Sequence, residues 1–478
     1  MIRHILLGAL LPAGLHAQAP TCRLALDSLD SKVRQNYAGF LLEVKGPRHD
    51  DYRSMLQRVE GEADRSEFER CYTPLSRYID WFADPHLFVF QNQQTDSATA
   101  IRQRESIQHV SLTEDGARKL LSVRLGALEP IEGIWYDGPL WIAVVPDSTD
   151  PLRRLFIGVV VASDTSAWPV GSVRASFFRR DDGSYGTLLH TPDFAQLQLT
   201  ARVHKRVLLR FSPGIWGKAW PLSPADTGLL DPVDPRRPRV SLRSQSVLIS
   251  ITSHDPTYVR VIDSLVKAFL PAIRDKGVLL VDLRGNEGGS SFTTRSLNPV
   301  IASTDKRVTR FDSGQAVMLS SPAQIAYAKR FTGTDTSAFV RRLVARMEAN
   351  PGRLVLMDPD AVPSPAEPVT EGAWKVGVLV DGGTVSASEV TVLHALRSRR
   401  ATVFGEPTAG ALDYQSVNIV GLGIGDRRWA LGYPAITAHA DLPERGMRGR
   451  GIAPDVIMRW TDRADPVRDV EERLVAKP

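Results

Sequence analysis

Cysteine is nearly absent from this 478-residue chain, which carries only Cys22 and Cys71. The two are too far apart to frame a zinc site, and none of the ten histidines falls in a His-Glu-x-x-His pattern. No acidic calcium-loop pattern occurs either. The chain is therefore expected to work without a metal or cofactor. Charge of one sign is also lacking: 59 basic against 54 acidic residues leave +5, with no basic stripe interleaved with aromatics. The longest cationic clusters, around Arg397 to Arg400 and Arg445 to Arg450, are short. No nucleic-acid partner is expected. Long apolar runs are missing as well, since nothing approaches the ~18 residues that a membrane span needs.

What is present is the composition of a folded soluble protein. At 43% hydrophobic and 24% charged, with 36 Gly and 32 Pro, it excludes collagen-like, disordered and coiled-coil architectures. The length corresponds to roughly three domains at ~150 residues each. Residues 1–17 read as an export signal, with Arg3 as the basic start and Ile5–Leu15 as the apolar stretch. Cleavage is expected after Ala17, because a cut after Ala19 would place Pro20 at the new terminus. A short buried helix is the alternative, opposed by Pro12 and Gly14. The mature protein is then expected in the periplasm or outside the cell, with association at the cell surface as a further option. In an exported chain an isolated pair such as Cys22 and Cys71 is most simply a disulfide; two buried free thiols are the alternative. Closing such a loop of ~50 residues stabilises a fold by roughly 4 kcal/mol in the chain-entropy model.

Periodicity divides the rest. Leu29, Val33, Tyr37 and Phe40 recur near a 3.6-residue period, so residues 18–118 are expected to form a helical N-terminal region, with a short strand at His86–Phe90. Between 119 and 231, strand-length apolar runs alternate with turns such as Asp181-Asp182-Gly183. A small antiparallel β-barrel or sandwich is predicted there. After a Pro- and Arg-rich linker, Asp231–Pro238, strand and helix patterns alternate over 239–470, with a helical insertion at about 300–370. This predicts an α/β core, a mixed sheet with helices and open strand ends.

Two segments of that core carry the chemistry. In Val278–Ser291 a buried strand runs into Asp282-Leu283-Arg284-Gly285-Asn286-Glu287-Gly288-Gly289. Paired glycines after a strand let backbone N–H groups approach a ligand. The segment is neither a P-loop nor a dinucleotide fingerprint, because the lysine of the one and the glycine spacing of the other are missing. In Val376–Ser416 a strand ends at Asp381, and Ser386-Ala387-Ser388-Glu389 opens a helix after a Gly-Gly-Thr turn. A serine there lies where helix N–H groups stabilise developing negative charge. The plainer reading makes Ser386 an N-cap, with Glu389 completing a capping box.

Together these segments resemble the S41 serine peptidases, the family of tail-specific and C-terminal processing proteases. The matching residues are Asp282, Leu283, Arg284, Asn286, Gly288 and Gly289, then Ser386 to Glu389, then Gly405, Glu406, Thr408 and Gly410, and finally Gly449–Asp455. The resemblance covers about Ser246–Ile457 and implies an S41-like core acting on peptides or proteins by acyl transfer. It implies Ser386 as nucleophile, with backbone N–H groups of Gly288 or Gly289 and of Ala387 as the oxyanion hole. Many members are similar in using a lysine just after Thr-x-Gly as base, but Ala411 stands there. A branch that uses histidine looks closer, and in that pattern His86 is the base and Glu444 the orienting acid, with Asp84 as alternative acid. His254 and His439 are rival bases; His394, eight residues along the same helix, is ~12 Å away and too far. No PDZ-like Gly-Leu-Gly-Phe loop lies between His86 and Ser246, so recognition of a substrate tail has no support. The expected function is an exported serine endopeptidase. The alternative is a catalytically degenerate S41-like protein that binds a peptide or ligand.

Overall fold

The structure, a computed structural model, describes residues 20–68, 71–91, 97–164, 168–192, 194, 196–211, 214–307, 315–332, 338–359, 368–424 and 429–476. The expected export signal at 1–17 lies outside the described residues.

Four helices open the fold: α1 (Cys22–Asn36), α2 (Ala38–Glu43), α3 (Pro47–Ala63) and α4 (Tyr72–Asp80). The Thr21 hydroxyl caps α1 by accepting from Leu24 N at 3.2 Å. Leu26, Leu29 and Val33 of α1 share a buried face with Tyr52, Met55 and Val59 of α3, the stripe that helical periodicity requires. Cys22 and Cys71 form a disulfide with Cα atoms 5.3 Å apart, tying the start of α1 to the start of α4. Strand β1 (Phe88–Gln91) leaves this layer, and α5 (Ser97–Glu105) and α6 (Glu114–Ser122) follow.

The predicted β module is a closed antiparallel barrel of eight strands. In order they are β2 (Gly133–Asp137), β3 (Leu140–Pro146), β4 (Leu155–Ser163), β5 (Val173–Arg179), β6 (Tyr185–His190), β7 (Gln196–His204), β8 (Leu208–Phe211) and β9 (Gly214–Trp220). Alternation along β3 explains its construction: Ile142 and Val144 join the interior with Trp135, Phe177 and Trp216, while Ala143 and Val145 pack outward with Ala117 and Leu121 of α6. Closure leaves no unpaired edge.

The C-terminal part holds β10 (Arg239–Leu242), β11 (Val247–Ser250), α7 (Val259–Lys276), β12 (Val278–Asp282), α8 (Asn298–Ile301), β13 (Val317–Leu319), α9 (Pro322–Thr332) and α10 (Ala338–Ala349). It continues with β14 (Leu354–Leu356), β15 (Lys375–Val380), α11 (Ala387–Arg397), β16 (Ala401–Gly405), β17 (Tyr414–Gly421), β18 (Trp429–Thr437), β19 (Val456–Ile457) and α12 (Pro466–Ala476). Six strands form one sheet in the order β10-β11-β12-β15-β16-β19, parallel from β11 onward. Every residue of β12 is buried because both faces are covered. Leu279 and Val281 face the layer containing Ile262 and Val392, whereas Leu280 faces Val470 and Leu474 of α12.

A second sheet, β1-β18-β13-β14 with β17 also on β18, joins the two ends of the chain. Phe88 to Gln91 pair antiparallel with Gly432 to Trp429, so the segment after His86 is stitched to the core. The stretch expected to be a helical insertion supplies α9 and α10 but also β13 and β14 of this sheet, which apolar three-residue strands could not announce by periodicity. The linker is packed rather than free, with Thr252 Oγ1 donating to Pro235 O at 2.6 Å. Among the described residues no helix is long and apolar enough to cross a membrane.

Replacing Cys71 with serine should cost about 2–5 kcal/mol of stability, as loss of a native disulfide usually does. Calorimetry without reductant should show a lower midpoint for Cys71→Ser and for reduced wild type alike; equal midpoints for oxidised and reduced protein would rule this out.

Candidate functional site

The parallel strands β12 and β15 end side by side, Asp282 opposite Leu379, and the loops that leave them form the site. Asp282 and Arg284 lock the first loop at its root. Arg284 donates from Nε and Nη2 to the two carboxylate oxygens of Asp282, both at 2.9 Å, with the pair fully buried. Arg284 also lies 4.8 Å over the Trp460 ring. Lys205 of the barrel reaches the same carboxylate, 3.5 Å from Oδ2. Burial alone would raise the Asp282 pKa, but Arg284 and Lys205 outweigh it and hold the carboxyl well below the usual range.

Beyond that root, Asn286 shapes the loop. Its side chain donates to Ile251 O and accepts from Gly288 N, each at 2.9 Å. Its backbone carbonyl takes Val385 N at 2.9 Å and Ser388 Oγ at 3.0 Å, binding the glycine loop to the turn before α11. Gly288 (φ +93°) rests on that turn. A Cβ there would lie 2.7 Å from Val385 O, 2.8 Å from Ser386 Cβ and 3.0 Å from Ala387 N. Gly288 N–H is thus engaged, while the bridge from Gly289 to His254 uses Gly288 O and Ser290 N and leaves Gly289 N–H out of the pairing.

Ser386 is the N-cap of α11, half-buried, with φ +56° and ψ −117°. A non-glycine residue held there stores roughly 1–3 kcal/mol of backbone strain. Ala387 begins the helix, so its N–H has no intrahelical acceptor. Glu389 holds the turn in place: its buried carboxylate accepts from Ser386 N and Ala411 N through Oε2, at 2.9 and 2.8 Å. Through Oε1 it accepts from Thr408 Oγ1 and Gly410 N, at 2.6 and 2.7 Å. Burial pushes the Glu389 pKa up, and these four donors pull against it. Thr408 in turn pairs with Ile452 through N–H···O at 3.2 Å and takes Ile452 N on its hydroxyl at 2.9 Å. All four sequence motifs therefore meet here.

Residues 248–458 match the model of peptidase family S41. The matched segment is an S41 peptidase-like region, and members of that family are serine peptidases acting on peptides or proteins. No curated protein sequence matches the chain. Among solved structures, mature CPAF complexed with lactacystin is 13% identical over 95% of this chain and 97% of its own, with a TM-score of 0.45. The photosystem II D1 C-terminal processing protease is 13% identical over 95% and 97%, with a TM-score of 0.36. A lipoprotein from Streptococcus agalactiae is 11% identical over 98% and 100%, with a TM-score of 0.39.

Outside the matched segment, the His86 segment lies in the core cluster shared by the N-terminal helices and the second sheet. His86 and Asp84 are both buried, and Asp84 Oδ1 accepts from His86 N at 2.9 Å. Asp84 Oδ2 and His86 Nδ1 are buried with no hydrogen-bond partner among the described residues. Burial raises the Asp84 pKa against the pull of His86, Tyr37 and Arg448. Tyr37 packs edge-on to Tyr414 at 5.2 Å, and Tyr414 donates to Glu43 at 2.6 Å three residues after Ala411. Glu444 is exposed, one residue past Pro443 in a surface turn. His254 is buried, its Nδ1 2.6 Å from Thr293 Oγ1, and burial pushes its pKa down to about 4. His439 is half-buried. Among the described residues no group of three or more His, Cys, Asp or Glu side chains is placed to hold a metal.

Sequence reasoning missed the reach of Glu389 to Thr408, Gly410 and Ala411, which its spacing from Ser386 could not show. It also missed Lys205 and Arg210, the latter bound to Gly285 O and Thr252 O at 2.6 Å each. These come from the barrel, and nothing in their local sequence marks them. Because folding depresses the Asp282 pKa, its contribution to stability is present above the unfolded value of about 3.9 and is lost as pH falls through the lower folded value. Urea midpoints measured from about pH 5 down to about pH 2.5 should fall in wild type and fall less steeply in Asp282→Asn; parallel curves would contradict the coupling.

Proposed function

We propose that this protein is an exported serine endopeptidase that cleaves peptide bonds through an acyl-enzyme on Ser386. The observation that carries the reading is the strained turn at Ser386, pressed against Gly288 and opening α11 beside the free-standing N–H of Ala387. The disulfide supports export, since such bonds persist in oxidising compartments.

In the first step Ser386 Oγ attacks the peptide carbonyl carbon while His86 takes the hydroxyl proton. The tetrahedral oxyanion accepts hydrogen bonds from Ala387 N–H and Gly289 N–H; loss of one such donor usually raises the barrier by about 3–4 kcal/mol. Gly288, its own N–H already bonded to Asn286, gives the loop its close approach to Ser386. His86 then passes the proton to the leaving amine, and the acyl-enzyme forms. Water, deprotonated by His86, attacks the ester, and collapse of the second intermediate returns the proton to Ser386 Oγ.

His86 is favoured as base because its segment, through Asp84, Tyr37 and Tyr414, approaches the Ala411 region. Ala411 shares the Glu389 carboxylate with Ser386, so that region borders the nucleophile. Asp84 is favoured over the exposed Glu444 as the group that orients the imidazole, because it already contacts the His86 segment. A degenerate, peptide-binding member is the other reading, and Ala411 in place of a lysine is the observation behind it.

A fluorophosphonate probe should label wild type at Ser386 and leave Ser386→Ala unlabelled. Failure of folded wild type to react would favour the binding reading. His86→Ala should reduce kcat on a peptide substrate by roughly 10³- to 10⁶-fold; a fully active variant would move the base to another group.

A further inference from the structure

The hairpin between β7 and β8 drives three basic side chains into the roots of the two site loops. Lys205 Nζ, fully buried, meets Ser250 Oγ at 3.2 Å and Asp282. Arg210 holds Gly285 O and Thr252 O, and also Glu287 at 3.2 Å. His204 meets Asp381, with Nδ1 2.9 Å from Oδ2. Since a carboxylate only accepts, Nδ1 is the donor.

Asp381 is the hinge of this arrangement. Its other oxygen, Oδ1, accepts Gly285 N from the first loop and Gly383 N from the second, both at 2.9 Å. One carboxylate therefore joins the loop that carries Gly288 and Gly289 to the loop that carries Ser386. The imidazole is wedged between the same two loops. A Cβ on Gly285 would lie 2.7 Å from His204 Cβ, and one on Gly383 would lie 2.2 Å from His204 Cε1. Burial would raise the Asp381 pKa, but His204 and Gly285 N–H outweigh it and keep the carboxyl ionised.

We propose that His204 is a positioning residue of the peptidase site: by holding Asp381, it fixes the glycine loop against the nucleophile turn and makes the barrel part of the catalytic framework. The proposal rests on Ser386 as nucleophile for its catalytic consequence, but the geometry it asserts is measurable without turnover. His204 acts through Asp381 and does not touch substrate.

Hydrogen exchange on the full chain, read for peptides spanning 281–290 and 380–390, tests the clamp directly. His204→Ala should speed exchange at Gly285 and Gly383 roughly tenfold, the effect of one lost charge-assisted hydrogen bond, while peptides from the rest of the barrel stay at wild-type rates. Labelling of Ser386 by the fluorophosphonate should slow by a similar factor, and kcat should fall with KM nearly unchanged. His204→Asn, whose amide replaces Nδ1, should restore most of both, and His204→Gln, whose amide sits farther out, should not. The Asn and Gln pair makes the same distinction should the alanine variant fail to fold. Wild-type exchange at both amides in His204→Ala, or equal behaviour of Asn and Gln, overturns the clamp. Absence of labelling in wild type would instead remove Ser386 as nucleophile, leaving the exchange data to decide the clamp by itself.

Discussion

The buried carboxylate of Glu389 is the interaction on which the site depends. It sits in the first turn of α11, where the helix dipole favours negative charge. Four donors converge on it, from Ser386, Thr408, Gly410 and Ala411. Without them an ionised carboxylate so far from water would be costly. With them it becomes the point that fixes the Ser386 turn relative to the loop after β16. That loop is fixed further by Thr408 bonding with Ile452, so the last motif is drawn in as well. The capping-box reading of Ser386 and Glu389 and the proposed catalytic reading are thus compatible, since the cap sets the backbone on which the proposed chemistry would run.

A second set of buried charges supports the first from below. Asp282 with Arg284 and Lys205, and Asp381 with His204, anchor the ends of neighbouring parallel strands. Such buried pairs add little net stability compared with well-packed apolar residues, because desolvation offsets much of their attraction. Their value here is geometric. Each carboxylate has its partners at fixed directions, so the strand ends leave the sheet at fixed angles, and small glycine-rich loops inherit that order.

The three parts of the chain are not independent beads. The N-terminal helices share a core with β18, and β1 pairs with it along four residues, so the segment bearing His86 belongs to the same packed body as the sheet. The barrel meets the core through the β7–β8 hairpin and its basic side chains. Closed barrels have no strand edge to offer an extended peptide, which sets this module apart from one that captures ligands by strand addition.

Much of the architecture was legible in order of residues alone. The all-apolar run Val278–Val281 marked a strand covered on both faces, strand-length apolar runs separated by turns marked the barrel strands, and helical spacing marked α1. Glycines at 288 and 289 and the serine at 386 marked the candidate site because their chemistry is tied to local backbone geometry. The Cys22–Cys71 pair was legible by count, since only two cysteines exist. Tertiary structure alone decided which oxygen of which carboxylate meets which amide. It brought Ala411 to Glu389, and His204, Lys205 and Arg210 to loops 42 to 177 residues away in sequence. It also set β13, a short strand in a stretch expected to be helical, against β18. The reason is physical: periodicity reports which face of an element is buried, but long-range hydrogen bonds depend on where separate elements are packed together, and no local pattern encodes that meeting.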